Sequence, residues 1–142
     1  MTITLRTVDK DNFKKVISLK VEKYCAPNLY SLAQTYVFPE EIPLAIYNDE
    51  EPIGFIMYGA EQHDNNVYCI DRFMIDEAYQ KNGFGKKALE MVIDIIKQDK
   101  TRDTIKISTN PENTVARKLY VDVGFYDTNE LEDGEALLIL KY

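Results

Sequence analysis

The sequence predicts an α/β fold on a mixed sheet, and three stretches carry that expectation. Val67–Ile75 is rich in β-branched, aromatic and apolar residues and suits a buried strand. Beyond a glycine-bearing turn, Ala88, Leu89, Val92, Ile93 and Ile96 recur at i, i+1, i+4, i+5 and i+8, the stripe of an amphipathic helix. Residues 104–108 then alternate as a strand. Strand, helix and strand imply a parallel crossover, while the short turns upstream imply antiparallel hairpins.

Taken in order, Ile3, Thr4 and Leu5, with Val8, alternate and read as a first strand. Asp11 or Asn12 caps a first helix that carries Phe13, Val16, Ile17 and Lys20, with Leu19 and Val21 widening its apolar side. Pro27 marks a break or a helix start. Residues 28–36 form a second helix with Leu29, Leu32, Ala33 and Tyr36 on one face. The run from Pro39 through Glu40, Glu41 and Ile42 to Pro43 ends that helical region. Residues 44–47 are a short strand, 48–52 a turn, and 53–59 the returning strand of a hairpin. A polar turn at 63–66 leads into Val67–Ile75. After the glycine turn come a helix over 86–97 and the strand 104–108.

Asn110, Pro111, Glu112 and Asn113 open a further helix, with Val115, Ala116, Leu119, Tyr120 and Val123 on its stripe. Gly124 stops it just past its C-cap. Phe125 and Tyr126 start a strand, 128–134 is an acidic turn, and Glu135–Lys141 is the last strand. No repeat, linker or low-complexity tract interrupts the chain, so one domain over 1–142 is expected.

The 142 residues suffice for a real core, and 45% hydrophobic with 29% charged residues describes a globular chain. No apolar run approaches the roughly 20 residues of a membrane span. The first residues do not read as a signal peptide, so a cytoplasmic protein without membrane attachment is expected. Two distant cysteines and one histidine leave no disulfide framework and no zinc site. Cys69 as a nucleophile would need His63 as its base, and His63 sits in a polar turn. A formal charge of −7 argues against a nucleic-acid partner. It suits a cationic substrate, although solubility alone accounts for many acidic proteins.

Gly83 and Gly85 bracket Phe84 at the start of the central helix. Such a loop offers free backbone N–H groups at the positive end of a helix dipole, an anion site and most often a phosphate site. Lys81, Lys86 and Lys87 surround it. Gly83, Gly85 and Ala88 match G-x-G-x-x-G/A, the dinucleotide fingerprint, but that motif sits tight against its strand. Here Asp76, Glu77, Ala78, Tyr79 and Gln80 intervene. Gln80, Gly83 and Gly85 also match Q/R-x-x-G-x-G/A. A Walker loop is excluded, since no G-x-x-x-x-G-K-[ST] occurs.

The second pattern is the acetyl-coenzyme A pyrophosphate loop of the GNAT superfamily of N-acetyltransferases, which the chain resembles over essentially its whole length. Three motifs in order carry the resemblance. They are Asp71-Arg-Phe-Met-Ile75, the loop 80–85, and Asn113-x-x-Ala116-x-x-Leu119-Tyr120-x-x-x-Gly124-Phe125. Residues 24–34 and 43–47 further resemble bacterial spermine/spermidine acetyltransferases. The resemblance implies a GNAT fold with a six- to seven-stranded mixed sheet, about four helices and splayed central parallel strands. It implies acetyl transfer from acetyl-coenzyme A to a small-molecule amine, without metal, by direct attack in a ternary complex. A homodimer would follow family habit.

Residue by residue, the resemblance assigns the pyrophosphate cradle to Lys81, Asn82, Gly83, Phe84, Gly85 and Lys86, led by Gln80. The main chain of Phe73, Met74 and Ile75 would pair with the pantetheine arm, and an N–H near Met74 would polarise the thioester carbonyl. Their side chains read as core. Tyr120 lies on an apolar stripe and by periodicity alone reads as a core tyrosine; the motif makes it the acid that protonates the departing thiolate. Asp71 is implied to bind or deprotonate the amine, directly or through water. Its alternative is a strand-end carboxylate paired with Arg72 or a lysine. Two positions before Phe73, it is expected on the same sheet face. Asn113 caps a helix or touches the cofactor, and Arg117 reaches toward the nucleotide. Tyr30 and Tyr36, with Tyr24, are candidates for an aromatic substrate groove. The acidic residues Glu40, Glu41, Asp49, Glu50, Glu51, Glu130, Glu132, Asp133 and Glu135 read mostly as solvated turn.

If Tyr120 is the acid, Tyr120→Phe lowers turnover far more than cofactor affinity. Thiol-release kinetics beside calorimetry measure both, and equal turnover of the two proteins contradicts the role.

Overall fold

A computed structural model describes residues 2–20 and 23–142. The chain runs through β1 (Ile3–Thr7), α1 (Phe13–Ser18), α2 (Asn28–Val37), β2 (Glu41–Asn48), β3 (Glu51–Ala60) and β4 (Val67–Ile75). A 3-10 turn at Glu77–Tyr79 precedes α3 (Phe84–Ile96), β5 (Thr104–Thr109), α4 (Thr114–Asp122), β6 (Tyr126–Glu132) and β7 (Glu135–Lys141). The seven strands form one sheet in the order β1-β2-β3-β4-β5-β7-β6. β4 and β5 are parallel, joined across α3, and the other pairs are antiparallel.

Two apolar layers sandwich the sheet. Ile70 and Ile75 of β4, with Ile105, Ile107, Leu138 and Leu140, pack under α3 and α4. Phe55, Met57 and Met74 pack under α1 and α2 with Val16 and Leu19. α3 buries Phe84, Ala88, Leu89, Val92, Ile93 and Ile96, the expected stripe with one added turn at its start. Each large apolar side chain so buried contributes about 1.5–3 kcal/mol. In α4 only Tyr120 is fully buried; Ala116, Leu119 and Val123 pack half-buried against the same core, and the helix ends add bonds of their own.

Those ends are well made. The Asn113 side chain accepts the Ala116 N–H at 3.2 Å and donates to Thr109 Oγ1 at 3.3 Å. At the other end Gly124 has φ of +116°. The Gly124 N–H meets the Val121 carbonyl at 3.0 Å and the Phe125 N–H meets the Tyr120 carbonyl at 2.9 Å, the Schellman pair. Its hydrophobic contact is Tyr120 against Phe125, with ring centroids 6.1 Å apart.

Several expectations need correction. α1 ends at Ser18, so Lys20 lies outside it, and Val21 falls outside the described residues. Asn12 sends its side chain back to the Asp9 N–H and the Thr7 carbonyl instead of capping α1. α2 buries Asn28 and Ser31; Leu29 and Tyr36 of the expected apolar face are exposed. Its polar inner face serves the neighbours, with Asn28 Nδ2 donating to the Val16 carbonyl at 2.9 Å. β2 begins at Glu41, ahead of Pro43. Pro43 lies past the last β1 pair, where the strand has one neighbour and needs no second ladder bond. Val115 is 82% exposed. The acidic turn at 128–134 is mostly strand, with Asp133 and Gly134 alone forming the reversal.

Gly54 faces the end of β4 across the ladder. A Cβ there would stand 2.5 Å from the Met74 carbonyl oxygen and 2.8 Å from Ile75 Cδ1. Backbone cannot yield cheaply, so Gly54→Ala is expected to cost about 1–3 kcal/mol of stability. An unchanged urea midpoint would contradict this.

Candidate active site

The site is organised by one irregularity in β4. Met57 of β3 pairs with Arg72, and the next residue, Tyr58, pairs with Ile70. Asp71 is left out of the ladder, a β-bulge. The extra residue shifts the alternation. Tyr68, Ile70, Phe73 and Ile75 all belong to the α3–α4 layer, with a spacing of three across the bulge instead of two or four. Asp71 therefore does not share a face with Phe73, contrary to the expectation. It lines cavities with Met57, Gln34 and Phe38 on the α2 side.

The pairing of β4 with β5 stops at Ile70 and Ile107, just where the bulge begins. Beyond it, β5 continues to Thr109 against β7, and Asp71, Arg72, Phe73, Met74 and Ile75 have no β5 partner. The expected splay of the central parallel strands is present. It leaves the β5-facing main-chain groups of the run from Phe73 to Ile75 on an open strand edge, apart from the Ile75 carbonyl, which Gln80 occupies; such an edge is one an extended ligand can extend as an added strand.

The glycine loop follows. Gln80 Nε2 donates to the Ile75 carbonyl at 2.8 Å, which ties the loop to the end of β4. Asn82 Nδ2 donates to the carbonyls of Tyr79 and Gln80 at 3.1 and 3.2 Å, so its side chain shapes the turn from within. Asp76, which sequence reasoning passed over, accepts the Ala78 N–H at 2.9 Å and the Lys20 N–H at 2.8 Å, fastening the loop to the end of the α1 region. Lys81 has φ of +67° and Gly83 φ of +79°. Gly83 is the N-cap of α3 and brings no side chain to its free N–H groups. A Cβ on Gly83 would meet nothing within 4 Å, whereas one on Gly85 would stand 3.3 Å from Phe73 Cζ. The two glycines thus serve different ends: Gly83 keeps a turn, and Gly85 lets α3 close on β4. Phe84 is buried, while Lys81, Asn82, Lys86 and Lys87 are exposed around the helix start.

Tyr120 is buried in the α3–α4 layer, between Phe73 and Phe125, with ring centroids at 6.5 and 6.1 Å. Asn113 holds the other end of its helix. Arg117 is spent on structure: it pairs with Asp127 at 2.8 Å and donates to the Pro111 carbonyl at 2.9 Å.

On the opposite face two adjoining cavities, of about 80 and about 230 Å³, share Asp71 and Glu41. Glu40, Glu61 and Cys69 line the smaller one; Gln34, Phe38, Met57 and Arg72 line the larger. Among the described residues no three His, Cys, Asp or Glu side chains are placed to hold a metal ion. Of the acidic set, Glu40 and Glu41 converge here. Asp49, Glu50 and Glu51 instead bind Thr2, Arg6 and Lys15 at the far edge. Arg72 does not pair with the Asp71 carboxylate; it donates to the Asp71 carbonyl at 2.7 Å and to Gln34 at 2.9 Å. Its guanidinium lies 6.0 Å over the Tyr30 ring, so a cation of the protein already covers that aromatic face. Tyr36 is 93% exposed and lines neither cavity.

Burial, then the nearby Asp71, pushes the Glu41 carboxyl up to about 8. Asp71 is raised too, by partial desolvation against the cavity wall, although its side chain keeps contact with solvent. Burial and the Asp71 charge push the Cys69 thiol up to about 12, which leaves it an inert thiol.

The model of the acetyltransferase (GNAT) family matches residues 10–125. The chain belongs to the GNAT family of acetyltransferases. This acetyltransferase is 30% identical, over 152 aligned positions and 98% of both chains, to the spermine/spermidine N(1)-acetyltransferase of Bacillus subtilis strain 168. Its fold is similar to that of the PaiA N-acetyltransferase from Thermoplasma acidophilum, solved with coenzyme A, with a TM-score of 0.75 at 17% identity over 100% of each chain. It is also similar to the aminoglycoside acetyltransferase AAC(6')-Ib solved with coenzyme A, with a TM-score of 0.82 at 16% identity over 99% of this chain and 95% of that one.

The folded acetyltransferase keeps a proton on Glu41 that the unfolded chain sheds near 4.5. The unfolded state then binds fewer protons, so stability falls as pH rises from 4.5 toward 8. Glu41→Gln is expected to flatten that part of a plot of Tm against pH. Parallel curves for the two proteins would contradict it.

Proposed function

We propose that this enzyme transfers acetyl from acetyl-coenzyme A to a primary amine of a small polycation, spermidine or spermine, in the cytoplasm. The observation that carries the reading is the group of carboxylates, Asp71 with Glu40, Glu41 and Glu61, lining adjoining cavities at the place where β4 leaves β5. A cation gains most from such a group where the surroundings are partly desolvated. The identity with a spermine/spermidine acetyltransferase supports the same reading.

The residues of the donor side fit acetyl-coenzyme A, which supplies an activated acetyl thioester. The N–H groups of Gly83, Phe84, Gly85 and Lys86 open α3 without a side-chain cap, and face an open, lysine-flanked surface suited to a pyrophosphate. Gln80, Lys81 and Asn82 fix the turn that presents them. Along Phe73, Met74 and Ile75, the main-chain groups that β3 and Gln80 leave open offer ladder bonds to the pantetheine amides, and a donor near Met74 for the thioester carbonyl. Asn113 supports this side by bracing α4 on β5.

Asp71 binds the incoming ammonium and takes its proton, directly or through water. The freed nitrogen forms the new C–N bond as the C–S bond breaks. Tyr120 gives its phenolic proton to the departing sulfur, since a phenol is neutral but able to donate at pH 7. Phe73 and Phe125 hold its ring from two sides.

Thiol release from acetyl-coenzyme A, measured against spermidine, spermine, diamines, aminoglycosides, amino acids and a lysine peptide, tests the reading. Turnover is expected to peak on the polyamines. Asp71→Asn is expected to lose most turnover at low pH, where the amine is mostly charged. Turnover on the peptide alone would move the substrate to protein. Silence across the panel with the cofactor still bound would make the domain an acyl-coenzyme A sensor.

Gly83→Val places a β-branched residue at φ of +79° in the cradle. Each charge-assisted hydrogen bond lost is worth about 1.5–3 kcal/mol. Affinity for acetyl-coenzyme A by calorimetry is therefore expected to fall at least roughly tenfold for every such bond lost, in a protein that stays folded. An unchanged titration would contradict the cradle.

A further inference from the structure

Glu41 lines both cavities but makes or breaks no bond in the chemistry above. Glu41 opens β2 directly opposite Gly59 of β3. A Cβ on Gly59 would stand 3.1 Å from Glu41 Oε2 and 3.0 Å from the Glu40 carbonyl oxygen. The glycine is therefore a notch that lets the Glu41 head lie against the sheet. There it meets Asp71, which the bulge has freed from the ladder. Glu41 and Asp71 are the two residues common to both cavities. Glu41 Oε2 is buried, and no donor of the described residues reaches it. The carboxyl of Asp71 lies within hydrogen-bonding reach of the Glu41 carboxyl. Two ionised carboxylates repel, but a pair holding one proton makes a hydrogen bond.

Resting on the amine-site reading, we propose that Glu41 and Asp71 hold one proton between them in the empty site and release it when a substrate ammonium enters. The O–H bond of the pair breaks, its proton passes to solvent, and an N–H of the ammonium takes its place between the two oxygens. Nothing is oxidised or reduced. Both carboxylates are then ionised, and Asp71 is ready to accept the amine proton. Glu41 acts through Asp71 as a positioning residue. It turns a strand carboxylate into a group whose charge appears only with substrate.

The surroundings favour this. Glu40, beside Glu41, and Glu61, at the end of β3, add negative charge that keeps the proton on. Arg72 on β4 opposes it, but its terminal nitrogens are engaged by the Asp71 carbonyl and Gln34. Cys69 stays a neutral thiol, and Lys106 on β5 pairs with Glu132 at 3.3 Å. From α2 comes Gln34, and from just past its end Phe38, neither of which carries a charge. Glu41, pushed up to about 8, is protonated at neutral pH.

Three measurements test the proposal. Infrared difference spectra of the ligand-free protein, taken between neutral pH and a pH well above 8, are expected to show a protonated carboxyl band. Glu41→Gln should lose it, and in Asp71→Asn it should titrate at lower pH than in the wild type. Absence of the band in the wild type, its survival in Glu41→Gln, or an unmoved titration in Asp71→Asn overturns the shared proton. Calorimetry of spermidine in buffers of different ionisation enthalpy at neutral pH is expected to show close to one proton released by the wild type and none by Glu41→Gln. The KM for spermidine should rise about tenfold per pH unit below about 8 in the wild type, and stay flat in Glu41→Gln. A merely structural glutamate would weaken binding equally at every pH, and equal proton counts overturn the exchange. If spermidine does not bind the wild type, the polyamine reading fails, and the infrared arm alone decides the shared proton.

Discussion

A strand that gains one residue against its neighbour has to turn, and β4 turns at Asp71. Three consequences follow from that single misfit. The strand parts from β5 beyond Ile70, which opens main-chain groups that a regular sheet would consume. The alternation reverses, so Phe73 swings under α3 and α4 instead of following Asp71. Asp71 itself is released toward Glu41 and the α2 side. Phe73 in turn explains Gly85, since any Cβ there would press on the ring. The start of α3 is thereby brought down onto the parted strand. The seating of the glycine loop, the open edge and the freed Asp71 carboxylate all trace to the same extra residue.

The two helices beside the gap are secured by different physics. α3 is held by burial along its whole length, from Phe84 to Ile96. α4 buries one large side chain fully and packs Ala116, Leu119 and Val123 half-buried on the core, and it adds the Asn113 cap, the Schellman turn at Gly124, and Arg117 with Asp127. Capping interactions of this kind are worth about 1 kcal/mol each, less than one buried leucine. Tyr120 therefore stands on the less firmly seated helix, and its place is set by the ring of Phe125, which the Schellman turn brings back against it.

Much of the fold was legible because long periodic stretches carry their own signal. Val67–Ile75, the stripe of α3, the Asn113 cap and the stop at Gly124 all follow from spacing and residue type. The bulge was not legible. A period-2 reading of Asp71, Arg72 and Phe73 has no term for an unpaired residue, so Asp71 and Phe73 were expected on one face. Glu41 was hidden for a related reason. Two prolines mark its segment as a break, yet Pro43 is tolerated beyond the end of β1, so the strand starts early enough to hold a carboxylate over Gly59. α2 misled by composition: its outward Leu29 and Tyr36 look like a core stripe, while the inward Asn28 bonds the chain of α1. Glu61 gave no signal at all, since only the fold brings the end of β3 beside Asp71.

The groups around Tyr120 and those around Asp71 occupy opposite faces of the sheet, and β4 is the element they share. Substitutions at Gln34, Phe38, Glu40 or Glu61 leave the α3 loop and the Tyr120 helix untouched. On the proposed assignment of the two faces, acceptor preference is free to drift in a lineage, or to be re-engineered, while the acyl-donor side stays constant. Only changes within the short run from Asp71 to Ile75 would alter both at once.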